Sequence, residues 1–148
     1  MSYGNQFKAH TQLKLSPFFE RTSKLNESQE WRRWSGYLAA TNYELTHENE
    51  YFAIRTKAAL LDITPLYKYI IEGPEAQPFL DRMVTPNIGI SKVGPVMYTP
   101  WCDDNGPQIH DGTVQRLTDP KFRLTTPDPN LAWIETNAIR IDLSITED

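Results

Sequence analysis

The sequence predicts an α+β domain, a mostly antiparallel sheet with helices on one face, and three observations lead to that class. The stretch "IRIDLSIT" alternates strictly, with Ile139, Ile141, Leu143 and Ile145 on one side and Arg140, Asp142, Ser144 and Thr146 on the other, which is the period of a half-buried strand. The runs "VMYTPWC" and "PQIHDGTVQRL" flank Asn105-Gly106, a dipeptide suited to the positive φ angles of a type I′ hairpin turn. From Tyr67 onward, helical stripes are interspersed among strand-like runs in the order β-α-β-β-β-α-β. Hairpins mixed with crossovers in this way place helices against one face of an antiparallel sheet.

The elements follow from the N-terminus. Residues 1 to about 30 are polar and aperiodic, the pattern of an arm that orders only against a neighbour. In "EWRRWSGYLAATNY" the aromatics Trp31, Trp34 and Tyr37 recur at helical spacing, although Gly36 works against a helix. Thr46 is placed to cap a helix through "HENEYFAIRTKAALL", with Tyr51, Ile54, Ala58 and Leu61 along one face and Glu48 and Glu50 in the first turn. Residues 1–64 are thus expected to be a helical N-terminal segment docked beside an α+β lobe of residues 65–148.

Within that lobe, "LYKYIIEG" alternates as a strand, with Tyr67, Tyr69 and Ile71 on one side and Gly73-Pro74 as its stop. "PEAQPFLDRMV" carries the apolar stripe Ala76, Phe79, Leu80 and Met83 of a helix that Pro78 should bend or shorten. After the Asn-Gly hairpin, "TDPK" turns the chain and "FRLTTP" returns as a short strand. Asp128-Pro129 can cap and begin a helix through "NLAWIETNA" before the last strand.

Composition limits the function. A chain of 148 residues with 39% hydrophobic side chains has the material for a core, since a domain of that size hides roughly 68–70% of its unfolded surface. The net charge of -4 argues against a nucleic-acid partner. Cys102 is the only cysteine, which excludes an internal disulfide and a multi-thiolate metal site and favours a reducing compartment. The sequence has neither a secretory h-region nor a run approaching the eighteen or so apolar residues, roughly, of a membrane helix. A cytoplasmic protein with no membrane partner is therefore expected.

The chemistry-bearing residues crowd into "DDNGPQIHDGTVQRL". On an extended strand Ile109, Asp111, Thr113, Gln115 and Leu117 share one face, and His110, Gly112, Val114 and Arg116 the other. A glycine such as Gly112 inside a strand marks a bulge or a place where a ligand or another backbone comes close. Three readings stay open from these residues: a solvent-exposed hairpin, a functional carboxylate at Asp111, or a metal site built from Asp103, Asp104, His110 and Asp111. Against the metal, short polar side chains beside Asn-Gly are good turn formers. Cys102, with no lysine or histidine at motif spacing, reads as a buried inert thiol. His10 and His47 show no partner pattern, and the pairs Phe18-Phe19 and Tyr67/Tyr69 read as packing.

Taken in order, "EYFAIRTKAALLDITPLYKYIIEGPEAQPFLDRMVT", "VMYTPWCDDNGPQIHDGTVQRL" and "FRLTTPDPNLAWI" resemble the N-terminal part of the glycine-cleavage T-protein family. That family comprises the tetrahydrofolate-dependent aminomethyltransferases and their demethylase relatives, and the resemblance covers about residues 46 to 146. It implies that Leu66 in "LLDITPL" lines a folate site, that Tyr98 in "VMYTP" contacts folate, and that Asp111 in "IHDGTV" is the catalytic aspartate facing the reactive edge of tetrahydrofolate. Thr113 follows two residues on along the same strand face, and Thr126 in "LTTP" falls near a further pterin-contacting position. The chain departs from many T-proteins in having Pro107 for a glycine, His110 for the first of two adjacent acids and Gln115 for a tyrosine. These changes point away from a strict glycine-cleavage enzyme and toward the broader demethylase-like or uncharacterised branches.

The resemblance implies the N-terminal portion of a one-carbon transferase, moving an aminomethyl or methyl group from a small-molecule donor with tetrahydrofolate as cofactor. Further lobes, or a partner subunit, are expected to complete the site, and the short chain alone to be inactive. The alternative is a non-catalytic folate-binding or assembly module that needs a partner chain.

Overall fold

The computed structural model describes residues 13–148, and the chain divides into two compact units, Met1–Pro65 and Leu66–Asp148. His10 and the first part of the expected arm lie outside the described residues.

In the first unit a short helix α1 (Phe19–Thr22) runs into a 3₁₀ turn at Ser23–Leu25. The helix expected from Trp31, Trp34 and Tyr37 is instead a hairpin, β1 (Trp31–Trp34) and β2 (Tyr37–Ala40), with Trp34 opposite Tyr37. The cause is Ser35-Gly36, whose φ angles of 47° and 82° are both positive. Such a pair matches the twist of two flanking strands and has no place in a right-handed helix. The arm orders here as well: Lys14 donates its backbone N–H to Gly36 and accepts that of Leu38 along the hairpin edge.

Helix α2 (Glu48–Thr56) forms at the expected place but stops short of Ala58 and Leu61. Thr46 does not cap it; hydrogen bonds from the Thr46 hydroxyl and from Glu48's own backbone hold the Glu48 carboxyl below its ordinary range. Glu50 Oε1 instead accepts the upstream backbone N–H groups of Tyr43 and Glu44. No residue of α2 is buried, and Tyr51, Phe52 and Ile54 are exposed. Helix length in proteins is sustained mainly by packing of an apolar face, and no such packing carries α2 on to Leu61.

The second unit runs β3 (Tyr67–Glu72), α3 (Ala76–Met83), a 3₁₀ turn at Ile88–Ile90, β4 (Val96–Cys102), β5 (Gln108–Thr118), β6 (Lys121–Thr126), α4 (Leu131–Asn137) and β7 (Ser144–Glu147). Its sheet has the order β4-β5-β6-β3-β7, and every neighbouring pair is antiparallel. The fold is α+β. By register, Tyr69 and Ile71 of β3, Phe122 and Leu124 of β6, Val114 of β5 and Trp101 of β4 share one face. All are buried in one core with Phe79 and Leu80 of α3, Ile88 and Ile134 of α4. Pro78 does not break α3, because as its third residue it occupies the first turn, where a backbone N–H has no intrahelical partner to lose.

Four local expectations are corrected. The hairpin forms, but its turn is the longer loop 103–107, in which Gly106 N–H donates to Asp103 O, Asn105 N–H to Asp103 Oδ1, and only Gly106 has positive φ. Asp103 thus holds the turn with its backbone as well as its side chain, and no type I′ geometry is needed. Helix α4 starts after Asn130, whose N–H donates to Tyr69 Oη at 2.9 Å. The last strand is only Ser144–Glu147, because Arg140 turns with φ of 67° and the Asp142 backbone is bonded to Glu75. Ile141, Leu143 and Ile145 still pack on the core. Finally, Cys102 is exposed, on the opposite side of β4 from buried Trp101.

Arg116 is the one charged side chain in the buried layer among the described residues. Its guanidinium donates to Asp119 Oδ1 at 2.6 Å, Gln77 Oε1 at 2.8 Å, Ser91 Oγ at 3.2 Å and Ile88 O at 3.3 Å, and it lies 4.7 Å from the Phe122 ring centre. It ties β5 to α3 and to the 3₁₀ turn. Arg116→Met keeps most of the bulk but leaves Gln77 and Ile88 without this donor. A loss of about 2 kcal/mol is expected, read as a lower urea midpoint at unchanged slope.

Candidate functional site

The face of the sheet opposite the helices is set by the same alternation. On β5 it presents Asp111, Thr113 and Gln115; opposite them on β4 stand Pro100, Tyr98 and Val96, and on β6 Thr125 stands opposite Thr113. Tyr98 Oη donates to Asp111 Oδ2 at 2.8 Å, so the two side chains meet diagonally across the β4–β5 pair. Both are open to solvent: Tyr98 is 66% exposed and the Asp111 side chain 40%. The hydrogen bond to Asp111 is the main reason that the Tyr98 hydroxyl titrates above its usual 10.0, with desolvation and the Asp111 charge adding in the same direction.

The sign of that shift gives a checkable result. A raised pKa in the fold means that the bond stabilises the protein while the phenol is protonated, and that this contribution is lost as pH climbs through the raised value. In carbon NMR, Tyr98 is expected to deprotonate later than an unpaired tyrosine, and Asp111→Ala to bring its titration back down.

Gly112 lies between Asp111 and Thr113 with no room for a side chain: a Cβ there would stand 2.1 Å from the Thr125 carbonyl oxygen. The close approach anticipated at this glycine is therefore of another backbone.

Of the residues singled out in the sequence, the sheet brings Asp111, Tyr98 and Thr113 together. Leu66 sits half-buried just before β3, its carbonyl accepting Lys68 Nζ at 2.7 Å. Thr126 lies on the helix-covered face, opposite Tyr67, fully buried, with its hydroxyl donating to Asp128 O at 2.6 Å. Its neighbour Thr125 is the β6 threonine on the face of Asp111. The alternation of Phe122, Leu124 and Thr126 inward carries that signal in the sequence.

His110, which the sequence offers as a ligand in a metal set with Asp103, Asp104 and Asp111, has other partners in the fold. Its ring stacks on Trp101 at 5.7 Å, accepts the Asp111 backbone N–H at Nδ1 over 2.9 Å, and holds Nε2 3.3 Å from Asp128 Oδ2. Asp128 is 18 residues away in sequence, so spacing alone gave no sign of the pair. Among the described residues no three His, Cys, Asp or Glu side chains are grouped to hold a metal ion; Asp103 serves the turn and His110 the backbone. No helix among them is long and apolar enough to cross a membrane.

Comparison with known proteins places the chain in a family. The family model described as the GCVT N-terminal domain matches residues 18–147. The aminomethyltransferase of Halothermothrix orenii is 30% identical over 131 residues, 85% of this chain and 36% of that protein. The trimethylamine-oxide aldolase of Ruegeria pomeroyi is 36% identical over 97 residues, 65% of this chain and 12% of that protein. The crystal structure of the glycine cleavage system aminomethyltransferase T from Bartonella henselae superposes with a TM-score of 0.78 at 23% identity, covering 92% of this chain and 38% of that one, a likeness of fold. This chain spans between about a quarter and two fifths of the length of the aminomethyltransferases it matches. With all but its first residues and its last matched by the model, the chain belongs to the GCVT N-terminal domain family.

Proposed function

We propose that the chain is the N-terminal portion of a tetrahydrofolate-dependent transferase that moves an aminomethyl or methyl group, with the lobe of residues 65–148 supplying one wall of the folate site. The observation that carries this reading is the Tyr98–Asp111 hydrogen bond of 2.8 Å, held on the solvent-open face of the sheet rather than in the core. The donor set suits a reduced pterin: a carboxylate can accept ring N–H groups, the Tyr98 ring offers a planar surface, and Thr113 and Thr125 add hydroxyls beside them. Leu66 would border the site at the start of β3, and Thr126 would support it from behind through the Asp128 turn. Bound tetrahydrofolate supplies the nitrogen that accepts the one-carbon unit.

The chain's own contribution is electrostatic and positional. Asp111 is fixed by strand register on one side and by the Tyr98 hydroxyl on the other, so its charge meets developing positive charge without first reorganising. Its Oδ1 is the oxygen that would accept a hydrogen bond from the pterin, since Tyr98 donates to Oδ2. The Tyr98 phenol is a donor throughout the neutral range, and its bond to Asp111 moves its titration further up.

The donor is a small molecule that carries an aminomethyl or methyl group. The remaining lobes come from further polypeptide or from a partner subunit, as the greater length of the relatives suggests. A single cysteine and an acidic composition agree with a cytoplasmic setting and with no nucleic-acid partner. Calorimetric titration of the chain with tetrahydrofolate tests the reading: binding that is weakened by Tyr98→Phe and lost in Asp111→Ala supports it, and binding unchanged in both variants contradicts it. Binding without transfer, after the lobes are supplied, would favour the non-catalytic module.

A further inference from the structure

The geometry points to His110, anchored by Asp128, as a positioning residue whose protonation state rearranges the hydrogen bonds that hold Asp111; its bearing on function rests on the role of Asp111 proposed above. Asp111 stands opposite Pro100 in the β4–β5 register. Pro100 turns its carbonyl away from β5, to the Thr85 N–H at 3.3 Å, so Pro100 and Asp111 form a non-hydrogen-bonded pair and β4 holds neither the N–H nor the carbonyl of Asp111. A single nitrogen, His110 Nδ1, meets the polar groups of Asp111 instead. It lies 2.9 Å from the Asp111 N, 3.2 Å from its carbonyl O and 3.7 Å from its carboxylate Oδ1.

The ring is held in that place. Its side chain is 16% exposed, it stacks on fully buried Trp101, and Nε2 is tied to Asp128 at 3.3 Å. Among the described residues, the titratable groups facing it are Asp111 on its own strand and Asp128 on the loop between β6 and α4, while β4 presents Trp101, which does not titrate.

Two bonding patterns follow. With a neutral ring, Nδ1 accepts the Asp111 N–H and the Nε2 proton goes to Asp128. When a proton from solvent adds to Nδ1, both ring nitrogens become donors; the Asp111 N–H loses its acceptor, and Nδ1–H turns to the Asp111 carbonyl and Oδ1. The cation then lies between two carboxylates. Histidine is the side chain whose ordinary charge change falls between about pH 5 and 8, and protonation of this ring rearranges the residue that Tyr98 holds from its other oxygen.

Backbone-amide and carboxyl-carbon NMR of Asp111, followed across that range in the ligand-free chain, tests the inference. The expected result is a step at Asp111 that coincides with the titration of the His110 ring. His110→Asn keeps an acceptor for the Asp111 N–H but cannot take a proton, and should abolish the step. Asp128→Asn, at a side chain 75% exposed and so harmless to the core, should shrink it. A neutral-range step that persists unchanged in His110→Asn, or no step in the wild type, overturns the inference. In parallel, tetrahydrofolate affinity should follow the same step in the wild type and be flat in His110→Asn. A chain that shows the NMR step but binds no tetrahydrofolate at any pH sinks the folate reading and leaves the His110 device standing.

Discussion

Gly112→Ala is expected to lower the unfolding free energy by about 3 kcal/mol, the upper end of the usual cost of forcing an atom into a filled interior. The added Cβ would stand 2.1 Å from the Thr125 carbonyl oxygen and 3.3 Å from Trp101 Cη2. Thr125 cannot yield, because it is paired with Thr113 on one side and Lys68 on the other. The strands must separate locally, and the separation lies between Asp111 and Thr113. Urea unfolding should show the loss as a lower midpoint, larger than for Arg116→Met, and tetrahydrofolate binding should weaken with it. A midpoint within experimental scatter of the wild type would mean that β5 and β6 are not this close.

Asp111→Asn is the second large effect. In the chain reconstituted with the lobes that its longer relatives carry, one-carbon transfer should fall by about 10²- to 10⁴-fold, the range for a positioned carboxylate in acid–base or electrostatic work, while urea stability changes little because the side chain is partly exposed. Asparagine preserves the shape and still accepts the Tyr98 hydroxyl, so the substitution removes charge and little else. Loss confined to kcat, with KM kept, would locate the effect in the transition state; a raised KM with kcat kept would locate it in binding. Wild-type turnover would exclude Asp111 from the chemistry.

Much of the second unit was legible because its strands have two differently solvated faces. Tyr67, Tyr69 and Ile71, or Phe122 and Leu124, announce their inward face by alternation, and α3 reads from its stripe of Ala76, Phe79, Leu80 and Met83. The first unit was harder for a physical reason. Its aromatic residues mimic a helical period from Trp31 to Tyr37, and a two-residue turn of positive φ at Ser35-Gly36 overrides that period with backbone geometry. "IRIDLSIT" shows the same limit: Ile141, Leu143 and Ile145 do pack inward, but Ile139 is exposed, and the pairing with β3 is cut short by bonds to Glu75, 67 residues away in sequence.

For the site, strand parity alone put Asp111 and Thr113 on one face, and family resemblance added Tyr98. Nothing local could report that Tyr98 reaches diagonally to Asp111 across a separation of 13 residues, or that Asp128 holds His110. Thr125 was within reach, since Thr126 continues the inward series of β6 and its neighbour must therefore face Asp111.

Nitrogen–proton NMR of the chain during titration with tetrahydrofolate tests the proposed site most directly. The expected result is a set of shifts centred on Asp111, Gly112, Thr113, Tyr98 and Thr125, on the sheet face away from the helices. Shifts confined to α3 and α4, or none at saturating cofactor, would contradict it.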